Sequence, residues 1–129
     1  MNKRRILVVD DEPKLSELVR MFLERTQRFD VRVENRSAHA VTAAREFRPE
    51  MILLDVDMPG KDGGQVAREL KDDTTLRATP ILFFTSLISH AEAGELETVR
   101  GGMRFLAKPF DPQILIDTVD RILAGEGAI

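Results

Sequence analysis

The chain has 129 residues, of which 43% are hydrophobic and 32% charged, and its formal net charge is -3. This length predicts a single domain over residues 1–129, because no Gly-, Ser- or Pro-rich stretch offers a linker. Cysteine is absent, which excludes disulfides, thiolate catalysis and cysteine-ligated zinc. The acidic balance argues against direct nucleic-acid binding. No apolar run approaches the ~20 residues of a membrane span, so we expect no membrane insertion and a cytoplasmic location.

Short apolar runs of strand character alternate with helical stretches along the chain. This alternation predicts an α/β fold of five βα units, with a parallel sheet covered by helices on both faces. The predicted strands are residues 5–9, 30–34, 51–54, 81–84 and 103–107.

The helical stretches carry start and stop signals. Pro13 suits the first turn of the first helix, Ser37 is the expected N-cap of the second, and Asp111 precedes the last. The second helix is predicted to run to about residue 47, the third from 65 to 71, a weaker fourth from 90 to 100, and the last to Gly125. Helical spacing predicts that Leu15, Leu18, Val19, Phe22 and Leu23 face inward, as do Ala40, Val41, Ala44 and Phe47, and Ile114, Leu115, Val119, Ile122 and Leu123.

Polar residues stand where four of the predicted strands end. Asp10 and Asp11 follow the first strand, Asp55 the third, Thr85 the fourth and Lys108 the fifth. In an open parallel sheet, ligands bind outside the carboxyl ends of the strands, so these side chains should converge.

Three carboxylates in one cleft repel each other unless a cation neutralises them. Mg²⁺ fits, because it takes oxygen ligands from one or two carboxylates plus substrate phosphate. Lys108 and the Thr85 hydroxyl can both bind phosphoryl oxygens. An aspartate beside such a metal can be the nucleophile that forms an acyl phosphate. Glu12 could help to hold the metal, but acidity at a helix start explains it equally well.

Four ordered motifs carry a family resemblance. They are the acidic pair after the first strand, the segment 52–60 with Asp62-Gly63, then Thr85, and finally Lys108-Pro109-Phe110. Together they resemble the receiver domain of two-component response regulators, the CheY-like superfamily, over nearly the whole chain. The resemblance implies a flavodoxin-like (βα)5 fold with strand order 2-1-3-4-5. It also implies a cis peptide before Pro109.

The resemblance also implies a role for each site residue. Asp55 would accept a phosphoryl group from a histidine kinase or a histidine phosphotransfer protein, with Mg²⁺ or Mn²⁺ as the only cofactor. Asp11 and Asp55 would bind the metal directly with the main-chain carbonyl of Asp57, while Asp10 would act mostly through its water shell. Thr85 would swing toward the phosphoryl group, and Lys108 would pair with it.

Phosphorylation would then change a surface made of the fourth helix, the fifth strand and the fifth helix. Thr85 and Phe105 are the expected switch residues, with Phe105 packing inward. The expected output partner is a downstream protein target or effector domain, and phosphorylation could also drive formation of a homodimer. We expect a signalling domain rather than an enzyme, with only self-catalysed phosphotransfer and dephosphorylation.

Three alternatives stay open at this point. Asp55-Val56-Asp57 also resembles the nucleophile and acid/base pair of haloacid-dehalogenase-type phosphatases, although their later acidic pair lies downstream and Asp10-Asp11 lies upstream. A flavin-binding module of similar topology would need a phosphate loop after the first strand, where acids stand instead. A receiver-like scaffold that is not phosphorylated would only bind partners.

Overall fold

Five parallel strands form one sheet and, numbered along the chain, they lie in the order 2-1-3-4-5. The computed structural model describes residues 3–86 and 104–125. The strand order confirms the doubly wound arrangement that the resemblance implied. The strands are β1 (Arg4–Val9), β2 (Phe29–Glu34), β3 (Met51–Asp55), β4 (Ile81–Thr85) and β5 (Arg104–Ala107); the helices are α1 (Pro13–Glu24), α2 (Ala40–Phe47), α3 (Gly63–Asp72) and the last helix (Pro112–Leu123), and a 3-10 turn spans Ser37–His39.

The central strands are apolar because both faces of the sheet are covered. In β1, Ile6 and Val8 belong to one buried cluster and Leu7 and Val9 to another, since successive side chains of a strand point to opposite faces. The first cluster packs under α1 and the last helix, and the second under α2 and α3. Each fully buried aliphatic side chain contributes about 2 kcal/mol.

The predicted inward positions need correction in α1 and the last helix. Leu18 and Ile114 are 42% and 53% exposed, so neither belongs to the core. Ser16 and Thr118 take buried positions over the sheet instead. Their hydroxyls donate to main-chain oxygens of their own helices, to Pro13 at 3.1 Å and to Ile114 at 2.7 Å. A buried hydroxyl satisfied in this way mimics an apolar position, which helical spacing alone does not reveal.

Two predicted helix starts were also wrong. Helix α3 begins at Gly63 rather than at Gln65, because Asp62 and Gln65 form a reciprocal capping box. Ser37 is not an N-cap, and it starts the 3-10 turn without a side-chain capping bond. Its hydroxyl is used in contacts with the loop that follows β3, at Pro59 and Lys61.

The predicted fourth helix, residues 90–100, lies outside the described residues, as does Met103 at the predicted start of the fifth strand. Among the helices that the structure describes, none has both the length and the apolar character needed to span a membrane.

Gly63 is packed directly against the end of β3. A Cβ atom at this position would lie 2.5 Å from the main-chain oxygen of Asp55 and 2.8 Å from the Cα atom of Val56. The Gly63 amide donates to the Val56 oxygen at 3.0 Å, which brings the start of α3 close to the strand end. Only glycine permits this approach, and it fixes the loop between Asp55 and α3.

We therefore expect Gly63→Ala to lower the free energy of unfolding by about 2 kcal/mol or more, because backbone atoms must shift to admit the methyl group. Urea denaturation followed by circular dichroism measures this, since the chain has no Trp or Tyr.

Gly64→Ala is the matched control. Its added Cβ would meet only the Asp62 side chain, at 3.3 Å, and alanine favours a helix over glycine by about 1 kcal/mol. Its stability should stay within about 1 kcal/mol of the parent. Equal stability of the two variants would contradict the close-packing argument.

Candidate functional site

The carboxyl ends of four strands bring the predicted side chains to one edge of the sheet. Asp10 directly follows β1, Asp55 ends β3, Thr85 ends β4 and Lys108 follows β5. The Lys108 amide donates to the Thr85 oxygen at 2.8 Å, which extends the pairing of β4 and β5 to the site. The Lys108–Pro109 peptide is cis, as the resemblance implied.

The Lys108 ammonium group lies between two buried carboxylates. Its Nζ atom is 3.2 Å from Asp10 Oδ2 and 3.2 Å from Asp55 Oδ1, and it is 3.5 Å from Glu12 Oε1. Asp10 is fully buried, and Asp55 is 2% exposed. Glu12, by contrast, has a largely exposed side chain. One cation therefore holds together two carboxylates that come from different strands.

Burial dominates the electrostatics of this cluster. It raises the pKa of Asp55 to about 6, with the nearby Asp10 charge adding to the effect and Lys108 opposing it. Burial also raises the pKa of Asp10, although the hydrogen bond from the Glu12 amide and the nearby Lys108 both lower it. For Lys108, burial alone would lower the pKa, but the charges of Asp10 and Asp55 outweigh it and raise the pKa. The cluster holds more negative charge than one ammonium group balances.

Four carboxylates at this edge could hold a metal ion. Asp10, Asp11, Glu12 and Asp55 each offer a carboxylate oxygen, and these atoms lie within 4.8 Å of one another. An all-oxygen set of donors suits a hard divalent cation such as Mg²⁺. The raised pKa values of Asp10 and Asp55 fit this role, because a cation would relieve the repulsion between the carboxylates.

The remaining predicted residues lie around this cluster. The Asp57 amide donates to Asp55 Oδ1 at 3.2 Å, so the loop after β3 orients that carboxylate. Thr85 is 3% exposed at the end of β4. Phe105 is half-buried rather than fully inward, and its ring stacks on Phe83 with centroids 5.3 Å apart.

Asn35 is a residue of the site that the sequence analysis missed. Its side-chain amide donates to the main-chain oxygen of Asp10 at 2.7 Å. It stands directly after β2, the one strand end whose polar residue was not considered. The argument that polar residues at the carboxyl ends of parallel strands converge applies to Asn35 as well, and it could have identified this residue.

Acidic side chains and one lysine thus lie together at the strand ends of a doubly wound sheet. The sequence model of the family described as response regulator receiver domain matches residues 6–120. The chain belongs to this family, whose members are phosphorylation-activated switches of two-component signalling and not classical enzymes. The match places the chain with receivers rather than with phosphatases or flavin modules.

Individual relatives agree with the family. The chain is 37% identical over 117 residues to the DNA-binding response regulator MtrA of Mycolicibacterium smegmatis, covering 91% of this chain and 49% of that protein. It is 34% identical over 122 residues to protein PilH of Pseudomonas aeruginosa, covering 94% and 98% of the two chains. The chain thus spans about half the length of MtrA and nearly all of PilH.

A solved structure shows the same fold. The chemotaxis protein CheY4 of Vibrio cholerae superposes with a TM-score of 0.79 at 27% identity, covering 94% of this chain and 99% of that one.

The raised pKa of Asp55 gives a pH-dependent stability in metal-free buffer. Because the folded value of about 6 exceeds the ordinary 3.8, the native state binds this proton more tightly than the unfolded state does. Ionised Asp55 therefore costs stability above pH ~6, and the cost disappears as the pH falls toward 3.8. We expect Asp55→Asn to be more stable than the parent at pH 7, by up to about 3 kcal/mol, with the difference shrinking as the pH falls through this window.

Melting temperatures of both proteins, measured in the presence of a chelator from pH 4 to pH 8, check this expectation. Asp73→Asn is the control of opposite sign. Hydrogen bonds from Thr75 and Arg45 lower the pKa of Asp73 to about 2, so its ionised form stabilises the fold at pH 7. Its replacement should lower the melting temperature there. A parent protein as stable as Asp55→Asn at pH 7 would contradict the burial argument.

Proposed function

We propose that Asp55 accepts a phosphoryl group from a phosphohistidine, on a histidine kinase or a histidine phosphotransfer protein. The observation that carries this proposal is the buried Asp55 carboxylate, 3.2 Å from the Lys108 ammonium group and beside the other acids. In the transfer, an Asp55 oxygen forms a bond to phosphorus while the bond from phosphorus to the imidazole nitrogen breaks. The electron pair of the broken bond stays with the imidazole, which leaves as a neutral or protonated ring.

The orientation of Asp55 favours one of its oxygens as the nucleophile. Oδ1 accepts both the Lys108 and the Asp57 hydrogen bonds. We therefore take Oδ2 as the attacking atom. The two donors hold the carboxylate in place while Oδ2 reacts, and phosphoryl transfer asks a protein mainly for such positioning and for charge neutralisation.

Asp11, Asp55 and the Asp57 carbonyl would hold Mg²⁺ or Mn²⁺, with Asp10 acting mostly through the metal's water shell. The metal would neutralise charge on the phosphoryl oxygens. Once Asp55 is phosphorylated, Lys108 would pair with a phosphoryl oxygen, and the Thr85 hydroxyl would donate to another. Hydrolysis of the acyl phosphate by water would return Asp55 to the carboxylate and release inorganic phosphate.

Residues 1–129 would act as one receiver domain. Its output would pass through a downstream protein target or an effector domain, and a phosphorylation-dependent homodimer is part of the same proposal. We place it in the cytoplasm, where its phosphohistidine donors act.

Incubation with acetyl phosphate and Mg²⁺ should add one phosphoryl group, because the small donor needs only the positioned carboxylate and the cation. Intact mass measures the adduct directly. Asp55→Asn and a chelator-treated sample should each give none, while Lys108→Ala should react more slowly. An adduct on Asp55→Asn would contradict the assignment, and catalytic turnover of a phosphomonoester would favour the phosphatase alternative.

We further propose that Thr85 and Phe105 connect phosphorylation to the surface. Phe83 pairs with Phe105 across β4 and β5, and Thr85 lies two residues beyond Phe83, on the same face of its strand. A movement of Thr85 toward a phosphoryl group would therefore act on the stacked pair of rings. The face that changes would be β5 with the helices beside it.

Phe105→Ala should leave the stoichiometry of phosphorylation unchanged but reduce its structural response, because the ring that transmits the movement is missing. The measurement compares amide chemical shifts of β4 and β5 before and after treatment with acetyl phosphate. Phe110→Ala is the matched control, since the Phe110 ring packs at a tilt against Phe84, whose side chain points to the opposite face of β4. Equal responses in parent and Phe105→Ala would contradict the switch.

A further inference from the structure

The segment that follows β2 contributes no carboxylate to the acidic cluster, yet it contacts both loops that do. Asn35 reaches the loop between β1 and α1, and Ser37 reaches the loop between β3 and α3. We call these two residues the β2 bracket. The two loops that it joins carry Asp10 and Asp11 on one side and Asp57 on the other.

Asn35 uses one amide hydrogen on the first loop, at Asp10, and the other on Ser16 near the start of α1. Its Nδ2 atom lies 2.7 Å from the main-chain oxygen of Asp10 and 2.9 Å from the hydroxyl oxygen of Ser16. A main-chain oxygen can only accept, so the amide nitrogen must face it. Ser16 is fully buried and lies 3.1 Å from the Glu12 oxygen. The Asn35 side chain therefore fixes the turn in which the acidic residues stand.

Ser37 uses its hydroxyl as both donor and acceptor on the second loop. It donates to the Pro59 oxygen at 3.2 Å and accepts from the Lys61 amide at 3.2 Å. The side chain is buried, and the glycine between its two partners, Gly60, has a φ of +84°. The Ser37 hydroxyl therefore satisfies main-chain groups of this turn that would form backbone hydrogen bonds in a helix or strand.

The proposed metal ligands in the two loops follow β1 and β3, which are neighbouring strands of the sheet. The loops themselves extend beyond the residues that pair in these two strands. The bracket spans that unpaired region from the side of β2. We propose that Asn35 and Ser37 are positioning residues that set the distance between the two loops and thereby the affinity for Mg²⁺. This inference rests on the proposed function, because it assigns the bracket to the same metal site.

The test is a titration with MgCl₂ of the parent and of the Asn35→Ala and Ser37→Ala variants, followed by amide chemical shifts. Each variant should bind Mg²⁺ about 3- to 30-fold more weakly, since partners behind the ligands typically affect metal affinity on this scale. At saturating Mg²⁺, phosphorylation by acetyl phosphate should approach the parent rate, because Asp55 and Lys108 are untouched. In Ser37→Ala, the Lys61 amide should also exchange its hydrogen faster, having lost its acceptor.

Thr118→Val is the matched control for loss of a buried hydroxyl. Its hydroxyl donates within the last helix, to Ile114, and touches neither loop. It should leave the Mg²⁺ affinity unchanged whatever it does to stability. A bracket variant whose Mg²⁺ affinity is within twofold of the parent value would overturn this inference but leave the proposed function intact. A parent that neither binds Mg²⁺ nor becomes phosphorylated would overturn the proposed function as well.

Discussion

The Lys108 ammonium group stands between two buried carboxylates that would otherwise repel each other, and the site depends on this contact. Asp10 and Asp55 come from neighbouring strands, and the lysine arrives from the far edge of the sheet. Burial, with the nearby Asp10 charge adding to its effect, still raises the pKa of Asp55 to about 6 although Lys108 opposes it. The buried acids thus lower the stability of the metal-free protein, and a bound cation would relieve this loss. Such a loss of stability is common at functional sites.

The loop between β3 and α3, beside this contact, is held in place by short-range packing and hydrogen bonds. Gly63 lets the start of α3 approach the end of β3, and the capping box of Asp62 and Gln65 fixes where that helix begins. The loop carrying Asp57 is therefore held at its far end by α3 and on its flank by Ser37. A loop secured in this way can orient a carboxylate without belonging to the sheet.

Much of the fold follows from the sequence because its signals are local. Apolar runs ending in Asp10, Asp55, Thr85 and Lys108 mark strand ends, and all four meet at one edge of the sheet. The same reasoning misplaced Leu18 in the core, because it could not see that Ser16, with its hydroxyl bonded to its own helix, would be buried instead.

The sequence by itself determined the alternation of strands and helices, the residues at the strand ends and, through resemblance, the family. Periodicity and residue order carry these features without any knowledge of packing. Only the tertiary structure decided the raised pKa of Asp55 and the roles of Asn35 and Ser37. Both depend on groups brought together from distant parts of the chain, since burial and a hydrogen bond spanning 22 residues exist only once the strands have taken their order.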